Sequence, residues 1–286
     1  NSPDTAKWLV INNGAYGERI ANILQRHNIN HTNLSFPLDK AIDSQQIESH
    51  IQHNQYTHII VVHCETTTGI LNDIDTIGDI ARQHNLTFCV DAMSSFAGIP
   101  IDFDKANIDF AITSANKCLE GLPGFSIVIA RKDKLQLCEN KAHTLCLDLF
   151  DQWKCQEDNS EFRFTPPVQS LLACEQAINE LIEEGGISAR AKRYACNHLQ
   201  IVAAMRELNF DTYLEDELQS HIITTFHYPN ITNFDFNQFY QRLSAQGFVI
   251  YAGKIKNEHC FRIGHIGNIN DTENKALIKA IANLSS

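Results

Sequence analysis

The chain has 286 residues, 43% of them hydrophobic and 20% charged, with a formal net charge of −11. That length supports a sizeable core, as one large domain or one with a smaller companion, and the composition is that of an ordinary globular protein. The acidic balance and the lack of any Lys/Arg-rich run argue against a nucleic acid or an anionic membrane as partner, so an anionic ligand must be held by local donors. No apolar stretch is long enough to span a bilayer and no basic–apolar–small leader opens the chain, so a cytoplasmic location is expected. The nine cysteines lack CxxC spacing, and Cys64, Cys89 and Cys174 lie in apolar runs, which predicts buried reduced thiols. In His63-Cys64 and His259-Cys260 adjacent side chains point to opposite faces of a strand, so no metal site is expected.

From Lys7 to about Ala130 short apolar runs alternate with amphipathic stretches. Trp8 to Ile11, His58 to Val62, Thr87 to Val90 and Ser126 to Ala130 read as strands. Ala21 to Arg26 and Gln45 to His53 read as helical crossovers. Ile74, Ile77 and Ala81 recur at helical spacing behind Asp73 and Asp75. This βαβα rhythm predicts a mostly parallel sheet with flanking helices, an α/β fold. Ser170 to Glu184 is predicted as a helix that Gly185-Gly186 stops, and Ile187 to Leu208 as another. Then follow strand Ile222 to Phe226, helix Phe236 to Gln246, strands Phe248 to Tyr251 and Cys260 to Ile266, and helix Glu273 to Leu284. The expected division is a large domain over 1–186 and a smaller C-terminal α+β domain over 187–286.

Two charged residues stand out. Asp91 follows the apolar run Leu86 to Val90, and Lys117 follows Asp109 to Ile112, so each is expected at a strand's carboxyl end, where ligand sites of open α/β sheets gather. A surface ion pair is the plain alternative. A carboxylate and a lysine converging at such a rim also suit pyridoxal phosphate chemistry: the lysine binds the aldehyde as a Schiff base, and the acid keeps the pyridine nitrogen protonated.

The surrounding segments give that second reading its weight. They are Asn13 to Ile20, His63 to Asn72, Asp91 to Phe96, Ser114 to Phe125, Leu147 to Trp153, Arg163 to Pro167 and Phe261 to Gly267. In these, and in their order, the chain resembles the 2-aminoethylphosphonate–pyruvate transaminases of the class V aminotransferase group, within fold type I of the pyridoxal phosphate enzymes. The resemblance implies amino transfer from 2-aminoethylphosphonate to pyruvate. It assigns Lys117 to the cofactor aldehyde and to proton transfer, and Asp91 to the ring nitrogen. Tyr16 would stack on the ring, Thr66 would lie near its phenolic oxygen, and Asn116 near its phosphate. Arg262 would take the substrate's anionic group. Arg163 and Thr165 would approach a neighbouring subunit's cofactor, which implies a homodimer with sites at the interface.

Each role has a plainer competitor: a core tyrosine for Tyr16, a strand-to-helix turn for Thr66, an amide serving turn backbone for Asn116. A structural ion pair competes for Arg262 and an exposed loop for Arg163. The family's glycine- and hydroxyl-containing phosphate loop near the N-terminus has no counterpart here. The N-terminal part of the large domain is therefore expected to be missing, with weakened cofactor affinity. Rival functions are another class V activity such as alanine–glyoxylate transamination, or an impaired fragment that only dimerises or binds. A cysteine desulfurase is disfavoured, since no cysteine marks a mobile catalytic loop.

Overall fold

The computed structural model describes residues 1–230 and 234–285. Strand β1 (Lys7–Asn12) leads into helix α1 (Ala15–Arg26), edge strand β2 (Asn30–Ser35) and helix α2 (Ser44–Gln52). Strand β3 (His58–Val62) is followed by a small hairpin, β4 (Cys64–Glu65) and β5 (Ile70–Leu71), and by helix α3 (Ile74–Gln83). Strands β6 (Thr87–Asp91), β7 (Phe110–Ser114) and β8 (Ser126–Ala130) complete a six-stranded sheet of order β2-β1-β3-β6-β7-β8. Every neighbouring pair is parallel except β7 with β8.

The near-continuous apolar runs of β1 and β3 follow from burial on both faces of the sheet. Leu9, Ile11, Ile59, Val61, Phe88 and Val90 face α2 and α3, where Ile47, Ile51, Ile74 and Ile77 meet them. The alternate residues Val10, Ile60 and Cys89 face Ala21 and Leu24 of α1. This is the period-2 split of a strand between two faces.

Helices α4 (Lys132–Gln136), α5 (Leu149–Asn159), α6 (Val168–Glu184) and α7 (Gly186–Glu207) follow. Gly185 turns α6 into α7 at φ 109°, a left-handed conformation that glycine adopts without steric cost. The C-terminal part contains β9 (Ile223–His227), α8 (Phe236–Ser244), β10 (Tyr251–Ala252), β11 (Cys260–Gly264) and α9 (Asp271–Ser285). Its three strands form an antiparallel sheet of order β10-β11-β9 over an aromatic core of Phe210, Phe226, Phe239 and Phe261. All nine cysteines are unpaired thiols, and Cys64, Cys89 and Cys174 are buried as expected. Among the described residues no helix is long and apolar enough to cross a membrane.

Several elements differ from the sequence reading. Strand β2 carries almost no apolar residues, and its pairing with β1 from Lys7↔Asn30 to Asn12↔Ser35 makes it a strand nonetheless. A polar edge strand of this kind discourages further pairing and leaves no hydrophobic signal. Helix α1 begins at Ala15, six residues before the expected Ala21. Helix α5, not expected from the sequence, is capped by Asp148, whose side chain accepts from Asp151 N, and the expected strand Phe248 to Tyr251 shrinks to Tyr251–Ala252.

Candidate active site

Because β1, β3, β6 and β7 run in parallel, the loops after their carboxyl ends share one rim of the sheet. The strand order reverses between β1 and β3, since the chain goes outward to β2 before returning to the other side of β1. Such a switch point opens a crevice for ligands. Tyr16 follows β1, Thr66 follows β3, Asp91 ends β6, and Lys117 lies three residues beyond β7.

Asp91 sits partly buried opposite Ile112 of β7. Its Oδ1 accepts from Met93 N at 2.9 Å, and no cation lies within ion-pair distance among the described residues. Burial raises its pKa; the Met93 N–H and, more weakly, Arg19 oppose that rise, and Glu65 adds to it. The plain alternative, an Asp91–Lys117 surface ion pair, does not form. Lys117 is exposed and its ammonium makes no hydrogen bond or ion pair among the described residues. Its turn is tied to the Asp91 segment by the next residue, Cys118, whose Sγ donates to the Ser94 carbonyl at 3.1 Å.

A buried ionic network holds the far side of that turn, and the sequence reading missed it. Arg190 of α7 is 2% exposed and donates from Nη1 to the carbonyl oxygens of Cys118 at 3.0 Å and Leu119 at 3.2 Å. Its Nε binds Glu184 at 2.9 Å. Arg193 bridges Glu184 and Glu120, and the Tyr194 hydroxyl donates to Glu120 at 2.5 Å. Each charge has an opposite partner, which is what burial of ions requires. The only local hint was a run of charged residues at the start of α7.

Glu65 was also missed. It is 0% exposed, and its carboxylate accepts from the backbone N–H groups of Tyr16 at 3.0 Å, Gly17 at 3.2 Å and Thr67 at 3.0 Å, and from the Thr67 hydroxyl at 2.6 Å. A carboxylate from another loop thus satisfies the first amides of α1 and complements its dipole. This explains the early helix start, for which Gly14 supplies no side-chain cap. A Cβ on Gly14 would meet Glu65 Cδ at 2.3 Å, so only glycine lets the carboxylate in. Gly69, at φ 100°, lets the β4–β5 turn lie against the Ile223 carbonyl of β9. A reciprocal amide pair, Asn13 with Asn72, fixes the two loops together.

Above this frame the Tyr16 hydroxyl receives a hydrogen bond from Lys254 Nζ at 2.8 Å, and that ammonium stands 4.6 Å from the ring centre. The Arg19 guanidinium lies 4.8 Å from the same ring. Burial alone would raise the phenol's pKa; hydrogen bonds from Lys254 and Thr66, with the nearby charges of Lys254 and Arg262, outweigh it and lower the value. Arg262 of β11 is 6% exposed and donates from Nε to Ala252 O at 3.1 Å and from Nη1 to Thr66 O at 2.8 Å. Burial pulls its pKa down, and no carboxylate lies within ion-pair distance among the described residues. The competing structural ion pair is therefore absent. A buried guanidinium bonded only to carbonyls keeps an uncompensated charge and spare N–H donors for an anion.

The remaining expected residues are not brought together with these. Asn116 is exposed and makes no side-chain hydrogen bond among the described residues. Arg163 is committed within its own chain, to Leu145 O at 3.0 Å and to Asp151 in an ion pair at 3.2 Å. Thr165 is exposed in the segment before Pro166.

A family model described as aminotransferase class-V matches residues 11–267. The 2-aminoethylphosphonate–pyruvate transaminase of Phocaeicola vulgatus is 46% identical over 277 residues, covering 96% of this chain and 76% of that protein. Its namesake from Vibrio cholerae serotype O1 is 47% identical over 279 residues, with 97% and 76% covered. Among solved structures, alanine–glyoxylate aminotransferase from Nostoc sp. superposes with a TM-score of 0.92 at 21% identity, covering 100% of this chain and 76% of that one. Pyridoxamine–pyruvate aminotransferase from Mesorhizobium loti gives 0.88 at 24% identity, with 99% and 74% covered. These structural likenesses carry the fold, and it is the mostly parallel α/β architecture of fold type I that the sequence led one to expect.

Proposed function

The chain belongs to the class-V aminotransferases, and we propose that it moves the amino group of 2-aminoethylphosphonate to pyruvate, giving phosphonoacetaldehyde and alanine. The observation that carries this reading is a partly buried carboxylate and an exposed lysine at one rim, neither with an ion-pair partner among the described residues, and a buried arginine of β11, likewise without an acidic partner among them, that reaches this rim at the Thr66 carbonyl. Identity of 46–47% to transaminases of that name supports the substrate pair.

The residues present suit pyridoxal phosphate. Asp91 has one oxygen engaged by Met93 and the other without a hydrogen bond among the described residues, so it can accept from a ring N–H, and a protonated nitrogen beside it offsets the cost of its burial. Among the described residues the Lys117 amine is unencumbered, and the nearby Ser114 hydroxyl is buried without a hydrogen-bond partner. When bound, the cofactor supplies an aldehyde that condenses with amines and a ring that takes up the electron pair left on deprotonation.

In this reading Lys117 Nζ holds the cofactor and then, once freed, carries the proton away from the carbon bearing the amino group. The Asp91 carboxylate keeps the ring nitrogen protonated throughout. Tyr16 supports the ring through its face, Thr66 lies at its phenolic side, and Asn116 serves the phosphate. Arg262 orients the phosphonate in one half-reaction and the pyruvate carboxylate in the other, so ping-pong kinetics follow. Residues 1–186 form the cofactor domain and 187–286 the smaller one. The proposal includes a homodimer in which Arg163 and Thr165 approach the partner's site; the exposed Phe162, Phe164, Val168 and Leu172 around them support it. It also includes a cytoplasmic location, supported by nine unpaired thiols.

Borohydride reduction after incubation with pyridoxal phosphate, followed by peptide mapping, should place the label on Lys117. Label on a different lysine, or no alanine formed from 2-aminoethylphosphonate and pyruvate, would overturn the reading.

A further inference from the structure

We propose that Lys254 is a specificity-determining residue: its ammonium joins Arg262 in receiving the second negative charge of a phosphonate, so that the site prefers amino donors ending in phosphonate to those ending in carboxylate. The inference rests on the transaminase reading above and deepens it. Lys254 and Arg262 belong to one antiparallel arm, in which Tyr251 pairs with Arg262 and the chain returns from β10 to β11 past Lys254. Both cations face the same place. Lys254 Nζ donates to the Tyr16 hydroxyl, Arg262 donates to the carbonyl of Thr66, and the positive charges of both act on the Tyr16 phenol.

Neither cation has a carboxylate within ion-pair distance among the described residues, whereas Lys105, Lys154 and Lys275 each do. Glu65 cannot serve either one, because its two oxygens are taken by Tyr16, Gly17 and Thr67. Two like charges gathered around one phenol repel each other, and an anion placed between them removes that cost. A carboxylate carries a single charge and two oxygens, which the fork of Arg262 matches alone. A phosphonate has a third oxygen and a second charge, which call for a further donor. Lys254 is exposed, on a flexible stem, and can swing from the phenol to that oxygen.

The test uses Lys254→Met in the full chain supplied with pyridoxal phosphate. Its kcat/KM for 2-aminoethylphosphonate should fall about tenfold or more, while that for pyruvate stays within about twofold. Preference for 2-aminoethylphosphonate over 3-aminopropanoate, its carboxylate counterpart, should shrink by the same factor, and Lys254→Arg should retain most of it. Calorimetry with the unreactive anions ethylphosphonate and propanoate should show weaker binding of the first only. Equal losses for both anions would make Lys254 a prop for Tyr16, and no loss for either would leave it without a role; each overturns the proposal. Should the wild-type chain fail to transaminate 2-aminoethylphosphonate, the functional reading falls, and the anion comparison still decides the role of Lys254.

Discussion

Glu65 and Tyr16 are joined by a hydrogen bond of 3.0 Å from the Tyr16 backbone N–H to the Glu65 carboxylate, across 48 intervening residues of chain. The position of the Tyr16 ring therefore depends on a buried acid in another loop. Hydrogen bonds to a charged acceptor contribute about 1.5–3 kcal/mol each, and those made here are shared over one carboxylate. Glu65→Ala strands the first amides of α1 and should cost about 3–5 kcal/mol in denaturant unfolding. Glu65→Gln keeps the shape and one accepting oxygen, and should cost roughly half as much. Equal stability of Glu65→Ala and wild type would mean that α1 is held by its packing alone.

How far the sequence could be read follows from where each signal lies. Strands β3 and β8 were legible to the residue, because short apolar runs bounded by turns are local patterns. The placement of Asp91 at the end of one strand and of Lys117 just beyond another was legible for the same reason. Strand β2 exists only through its register with β1, which no local pattern encodes. Glu65 reads as one more polar residue until α1 is seen to end on it. Arg190 reads as a solvated helix residue, and its carbonyl acceptors lie more than 70 positions away. Arg163 illustrates the converse: a segment identified by motif, whose arginine is engaged by Asp151 of its own chain.

Arg190 makes the sharpest prediction about the Lys117 turn. Removing one partner of a buried, hydrogen-bonded charge network costs about 3–5 kcal/mol, because the others are left uncompensated. Arg190→Met leaves the Cys118 and Leu119 carbonyls without their donor and Glu184 with Arg193 alone, and its melting temperature should drop by several degrees, roughly 2–4 °C per kcal/mol for a chain of this size. Arg190→Lys should recover little, since one ammonium cannot replace the fork that reaches Cys118, Leu119 and Glu184 together. Retention of cofactor labelling at Lys117, at the wild-type rate in the Arg190→Lys protein, would show that the turn holds its shape without the network.

Asp91 predicts a trade between stability and function. Burial, opposed in part by the Met93 N–H, raises its pKa above the ordinary 3.8. Between the ordinary and the raised value the folded chain binds more protons than the unfolded chain. Its stabilising contribution is thus complete below that window and is lost as pH rises through it. Without cofactor, Asp91→Asn should be more stable than wild type near neutral pH, with the difference closing on acidification. Transamination should collapse in the same protein, since a neutral amide does not hold a ring nitrogen protonated. Denaturant curves across pH, with and without pyridoxal phosphate, check both halves. Near-normal turnover in Asp91→Asn would give Asp91 a structural role only.

Arg262 separates binding of the shared anion from recognition of the phosphonate. Its Nε and Nη1 are fixed by Ala252 and Thr66, so the rest of the guanidinium is oriented before any ligand arrives. A lysine at that position has a single head group and cannot keep both carbonyl contacts while meeting an anion. Arg262→Lys should therefore slow the 2-aminoethylphosphonate and the pyruvate half-reactions alike, each by roughly ten- to a hundredfold for a lost charge-assisted bond of about 1.5–3 kcal/mol. Attachment of pyridoxal phosphate to Lys117 should persist, because Arg262 acts on the substrate. Single-turnover spectra measure the two half-reactions separately. A loss confined to pyruvate would assign the phosphonate to a different anchor, with Arg163 of a neighbouring subunit the next residue to change, and no loss in either would make Arg262 a structural tie between β11 and the Thr66 turn.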